Sequence, residues 1–143
     1  MSGRGTEITL RVEQASAGGK PGWRYRVFVN GETVGQERTV DPRTAVQIRD
    51  FGRRYAQLFE TKYQPAVKRQ TLESLGDDLF QTWFAADWQV ITARGATGPR
   101  RIVLASDDAT ILNLPWELTR PANGAVFGAD PNVSLRRTPQ AVS

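Results

Sequence analysis

The chain has no cysteine and no histidine among its 143 residues. Without cysteine there is no disulfide framework. Without either residue there is no Cys/His zinc site and no haem or iron–sulfur ligation. A Cys–His dyad and a Ser–His–Asp triad are excluded on the same ground, so this chain alone is not expected to be an enzyme of those classes. Any catalysis would rest on carboxylates, Lys, Tyr, Ser or Thr. Long hydrophobic runs are missing as well. The longest uncharged apolar stretch, Ala109 to Trp116, is broken by Asn113 and Pro115, well short of the roughly 20 residues of a membrane helix. The polar start, Met1-Ser-Gly-Arg-Gly-Thr6, has no apolar leader segment. The expectation is a cytoplasmic protein without membrane contact. No internal repeat or low-complexity tract is present.

What is there begins with charge. Nineteen Lys/Arg face 15 Asp/Glu, a formal excess of four. Residues 1–63 carry 11 basic and 7 acidic groups, and residues 64–143 carry 8 of each. Basic residues run no longer than pairs, such as Arg53-Arg54 and Arg136-Arg137. A nucleic-acid surface would therefore have to lie in the first half.

Residues 1–41 read as an antiparallel β-meander. Ile8, Leu10 and Val12 alternate with Thr9, Arg11 and Glu13, the period of a strand with one buried face. Ala15–Gly22 is rich in turn residues and reads as a loop. Trp23, Tyr25, Val27 and Val29 then share one face, with Arg24, Arg26 and Phe28 on the other. Asn30-Gly31 is a strong signal for a type I′ hairpin. Glu32–Val40 returns as a third strand, weakened by Gly35.

Residues 42–95 read as helical. Asp41 suits an N-cap and Pro42 the first helical position. Ile48, Phe51, Tyr55, Leu58 and Phe59 fall on one helical face. Gln64-Pro65 interrupts. Leu72, Leu75, Leu79 and Trp83 form a second stripe, widened by Phe80 and Phe84, and Asp87 reads as the cap of a further short helix. Residues 96–143 hold a short buried strand around Ile102-Val-Leu104, the segment Leu114-Pro-Trp-Glu-Leu118, and a last strand, Asn132–Arg137. The fold class is α+β.

Few residues cluster as chemistry would require. No phosphate loop of the GxxxxGK[ST] or GxGxxG kind follows a strand. Asp77-Asp78 reads as wet helix surface, because neighbours on a helix do not share a face. Asp107-Asp108 reads as an Asx turn. No metal and no cofactor is expected. The physical alternative is a nucleic-acid-binding module. It would use Arg24 and Arg26 beside Phe28 on a strand, with Arg49 and Arg53 one helical turn apart. Glu7, Glu13, Glu32, Glu37 and Asp50 dilute that field.

Leu114-Pro115-Trp116-Glu117-Leu118 resembles the LPWEL signature of the CHAT family, caspase-like peptidases related to separases. The surrounding order is similar over Thr71–Arg137. A helix with Leu75-Gly-Asp-Asp-Leu-Phe80 leads to a strand, Arg101-Ile-Val-Leu104. The motif follows, then a loop with Phe127, and then the strand Val133-Ser-Leu-Arg136. The residues themselves read as an architectural latch. Pro115 suits a first helical turn, Trp116 and Leu118 can bury large apolar area, and Glu117 can pair with Arg136 or Arg137. Pro115, Trp116, Glu117, Leu118, Arg136 and Arg137 are thus the candidate motif and partner-interface residues.

The resemblance implies that the family's catalytic His and Cys belong to a caspase-like αβα core downstream of the motif, which the C-terminal strands would abut. No catalytic residue is carried over. The implied role is non-catalytic, supporting the peptidase core or coupling it to a sensor or repeat-domain partner, in bacterial defence or conflict systems. The chain could be a fragment, one piece of a split protein, or a free-standing adaptor. The first two readings predict an open edge on the last strand and an uncovered apolar side on Trp116–Leu118.

Overall fold

In the computed structural model the described residues are 5–17, 20–40, 42–60, 65–95, 99–121 and 126–139. They form the α+β fold expected from the patterning. Five strands, β1 (Thr6–Ala17), β2 (Lys20–Val29), β3 (Glu32–Thr39), β4 (Arg100–Ser106) and β5 (Val133–Pro139), lie in the order β3-β2-β1-β4-β5. The first three are antiparallel, and β4 and β5 run parallel to β1. The meander and the C-terminal segment therefore share one sheet, joined where Ile8 and Leu10 sit opposite Ile102 and Leu104.

Strand alternation puts Ile8, Leu10, Val12, Trp23, Tyr25, Val27, Val29, Ile102 and Leu104 on one face, where each is buried. The helices cover that face. In α1 (Pro42–Glu60), Ala45, Ile48 and Phe51 are buried. In α2 (Pro65–Trp83), so are Leu75, Leu79, Phe80 and Trp83. Leu58 and Phe59 lie outside the described side chains, and Asp41 outside the described residues. A 3-10 turn (Ala85–Asp87) leads into α3 (Trp88–Gly95), and α4 (Ala109–Leu112) follows β4.

Two local expectations are corrected. The Ala15–Gly22 stretch is narrower as a loop than its turn residues imply. The β1–β2 ladder runs on until Ala17 opposes Lys20, since a hairpin needs no more than two residues between its strands. Asp87 does not cap a helix. It ends the 3-10 turn, is buried, and accepts both the Nε (3.1 Å) and Nη2 (2.9 Å) of Arg38. A two-pronged bond of this kind gives each oxygen of the buried carboxylate a charged donor. Beside it, the Tyr25 hydroxyl donates to the Thr82 carbonyl at 3.0 Å. Burial raises the Tyr25 pKa above the usual phenol value, opposed by Arg38 and reinforced by Asp87.

The hairpin at Asn30-Gly31 forms as expected, with φ of 51° and 84°. Gly35 also has a positive φ, 68°, in the strand whose pairing with β2 shifts between Tyr25 and Val27. A Cβ at Gly31 would meet nothing within 4 Å, whereas one at Gly35 would overlap the Asp87 carboxylate. Gly31→Ala is expected to cost about 1–2 kcal/mol, the price of the left-handed backbone alone. Gly35→Ala is expected to cost more, because it also dislodges Asp87 from Arg38. Urea unfolding of the two variants side by side separates the terms, and equal losses would refute the Asp87 contact.

Candidate interface around the Pro-Trp-Glu turn

The crossover from β4 to β5 is built in short pieces. Asp108 caps α4, its carboxylate accepting from the Thr110 amide at 2.9 Å while its second oxygen accepts the Trp23 indole N–H at 2.7 Å. The chain then turns through Leu114 and Pro115 into a 3-10 turn, Trp116–Leu118. Pro115 precedes this turn rather than opening an α-helix. A third 3-10 turn, Phe127–Ala129, leads to β5.

Trp116 has no exposed surface. Its indole N–H donates to the Ile111 carbonyl at 2.8 Å. Its ring lies 5.9 Å from that of Trp83 and 6.4 Å, edge-on, from that of Phe84. Phe84 in turn stands edge-on to Phe127 at 5.7 Å, and Trp83 to Tyr25 at 5.0 Å. An aromatic chain thus runs from the sheet through α2 to the loop before β5. Edge-to-face rings at these separations gain something beyond area burial.

Three polar devices hold the turn. Arg137 donates from Nε to the Leu112 carbonyl (2.7 Å), from Nη2 to the Leu114 carbonyl (3.0 Å) and from Nη1 to Glu117. Its rigid fork supplies the Leu112 carbonyl with a donor and adds a second to the Leu114 carbonyl, which also accepts the Trp116 amide at 2.8 Å. Arg120 grips Asp77 of α2 in a two-pronged pair at 2.9 and 3.0 Å. Gly76 lets α2 approach so closely that a methyl group there would overlap the Leu118 carbonyl.

Of the candidate residues, the structure brings Pro115, Trp116, Glu117, Leu118 and Arg137 together. Pro115 and Trp116 are buried and Leu118 is half-buried, so the expectation of an uncovered apolar side on Trp116–Leu118 is corrected. α2 and Phe127 of this same chain close it. Glu117 pairs with Arg137, not Arg136, because residue 137 shares the inward parity of Val133 and Leu135. Arg136 is exposed on the opposite face of the sheet. The β5 edge is open: among the described residues, no strand pairs with its outer side.

The basic candidates divide. Arg24 and Arg26 lie on the sheet face away from the helices, with Arg24 bonded to Glu13 at 3.1 Å. Arg53 belongs to α1, which packs on the other face, and pairs with Asp50. The side chain of Arg49 lies outside those described. The sheet therefore stands between Arg24 and Arg26 on one side and Arg53 on the other.

The acidic pairs are structural. Asp77 holds Arg120, Asp107 accepts the Gln14 amide at 3.3 Å, and Asp108 caps α4. Among the described residues no trio of Asp or Glu could hold a metal ion, and no helix is long and apolar enough to cross a membrane. A hollow of about 430 Å³ opens at the N-terminal ends of β1, β4 and β5 and is lined by Thr6, Pro99, Arg100, Arg101 and Asn132, among others. It gathers no acid–base pair. A scan against protein-family models, a search of curated proteins and a search of solved structures each find no match to this chain.

Sequence reasoning missed the Gly76 approach and the Asp77–Arg120 and Asp87–Arg38 pairs. Only for Arg137 was a signal present, in the two-residue period of β5.

Trp116→Ala is expected to destabilise the fold by about 3–5 kcal/mol, by loss of buried area and creation of a cavity. Gly76→Ala is expected to be comparably damaging through backbone overlap. Chemical denaturation reads both, and a loss below about 1 kcal/mol for either would contradict the packing described. Arg137 holds the Glu117 carboxyl below its ordinary pKa, a partial burial opposing it. The stabilisation from this pair is therefore present above the unfolded carboxylate pKa of about 4.3 and is lost as pH falls through the lower folded value. The difference in stability between wild type and Glu117→Gln should be constant from pH 6 to 8 and shrink below about pH 4, its size limited to roughly 1 kcal/mol by solvent screening of the half-exposed pair. A difference that grows towards acid would overturn the assignment.

Proposed function

We propose that this chain is the non-catalytic N-terminal portion of a CHAT-type caspase-like peptidase system, and that it supports the peptidase core or couples it to a sensor in a bacterial defence or conflict setting. The observation that carries this reading is the parallel end of the sheet. β1, β4 and β5 run in one direction, and β5 stops the sheet with its outer edge unpaired among the described residues. Parallel strands occur chiefly in sheets that continue as α/β layers. The elements that carry the resemblance, α2, β4, the Pro-Trp-Glu turn, Phe127 and β5, also pack into one cluster rather than merely following one another in sequence.

In this reading the turn works at one remove. Buried Trp116 and the Arg137 fork fix the direction and height of β5, and the exposed strand edge meets the core. The Asn132 carbonyl accepts the Arg100 amide, so strand alternation directs the backbone groups of Leu135 and Arg137 outward, available to a further strand.

The test is to express, with this chain, the His- and Cys-containing α/β polypeptide encoded in the same or the adjoining reading frame. The expected result is an equimolar complex by calorimetry, with hydrogen exchange slowed at the Leu135 and Arg137 amides. Absence of a complex, or a complex that leaves β5 exchange unchanged, would sink the proposal. The nucleic-acid reading retains one supporting observation, Phe28 beside Arg24 and Arg26 on one face. Its mark would be single-stranded RNA binding with a steep loss on raising salt.

A further inference from the structure

The sheet has a second face, turned away from every helix described. Pairing registers place its residues in rows. Phe28, Thr9, Val103 and Arg136 lie in one row across β2, β1, β4 and β5, and Arg26, Arg11, Ala105 and Thr138 lie in the next. Thr9, Val103 and Ala105 form a low floor over the two central strands. Phe28 and Arg26 stand on one side of it and Arg136 on the other. Thr9, Phe28 and Val103 are half-buried, and Ala105 is buried between its neighbours.

The charges at the two ends of this floor are already matched. Glu13 takes both Arg11 and Arg24 at 3.1 Å, and Glu7 takes Arg101 at 4.0 Å. Along the flanks they are not. Among the described residues, neither Arg26 nor Arg136 has a carboxylate partner, and the Arg26 Nε is shielded from solvent with no acceptor. Glu37 borders the same small hollow as Arg26 but makes no ion pair with it.

We infer that this face docks an amphipathic helix of a partner polypeptide, its apolar stripe on Thr9, Val103 and Phe28 and its flanking carboxylates on Arg26 and Arg136. The width fits. From β2 to β5 is three strand spacings, roughly 14 Å, and a helix with its side chains is about 10–12 Å across. At the β1–β4–β5 end the strands are parallel, and parallel sheets are ordinarily covered on both faces. Charge complementarity selects an acidic-flanked helix over a basic one. A single-stranded nucleic acid fits less well, because the face offers one aromatic ring for stacking and sets Glu7, Glu13 and Glu37 among the arginines. The inference does not use the β5 edge and stands apart from the family reading.

The test is a displayed library of amphipathic helices with an invariant leucine stripe and flanking positions encoded as either Glu or Lys, selected on the full chain. Glu should be enriched over Lys at both flanks by roughly tenfold. A double variant, Arg26→Glu with Arg136→Glu, should reverse the preference to Lys, a gain that a folding defect cannot mimic. Recovery of no helix, absence of flank bias, or no reversal in the double variant would each overturn the inference. So would tight, salt-sensitive RNA binding abolished by Arg24→Glu with Arg26→Glu, or a concentration-dependent dimer lost on Val103→Glu, which would give the face to nucleic acid or to a second copy.

Discussion

Trp116 joins the two ends of this chain. Its ring reaches Trp83 and Phe84 of the helical layer, and through Trp83 it reaches Tyr25 of the N-terminal meander. Its indole N–H is satisfied by the Ile111 carbonyl inside its own crossover. A large ring buried on all sides fixes the position of whatever backbone carries it, because interiors are packed too densely to absorb a shift. The crossover that carries Trp116 leads directly to β5, so the placement of the last strand follows from the seating of this one side chain.

The polar contacts around that ring are consequences of its burial. A short, irregular crossover pulled against the helices turns the carbonyls of Leu112 and Leu114 toward β5, and Arg137 donates to both, the second shared with the Trp116 amide. Arg120 and Asp77 clamp the far side of the turn to α2, and Gly76 removes the methyl group that would hold the two apart. Arg137 can serve only because β5 points it inward. Arg136, its neighbour, is sent by the same alternation to the opposite face. Two adjacent arginines therefore do unlike work, one holding the fold and one flanking a surface that faces outward.

The elements themselves were largely legible. Period-two runs in residues 7–14 and 23–29, the Asn30-Gly31 turn and the stripes through Ile48–Phe51 and Leu75–Trp83 each appear where the pattern puts them. Local geometry suffices for this, since alternation and helical spacing are properties of the backbone alone. The parallel join of β1 to β4 was not legible, nor were the pairs Arg38–Asp87 and Arg120–Asp77, which bridge 49 and 43 residues. Patterning says which face is buried but not which distant strand lies beside it. The candidate arginines show the same limit: Arg24, Arg26 and Arg53 are near in sequence, yet the sheet separates Arg53 from the other two.

The sequence by itself determined the α+β class, the buried faces of β1 and β2 and the absence of cysteine- and histidine-based chemistry. These follow from composition and from periods of two and 3.6 residues. Only the tertiary structure decided that the Pro-Trp-Glu turn is sealed within the chain, that Glu117 takes Arg137 rather than Arg136, and that the described helices all lie on one face of the sheet. Each of these depends on which segments meet across long stretches of chain. That is set by how the aromatic side chains pack together, and no local pattern encodes it.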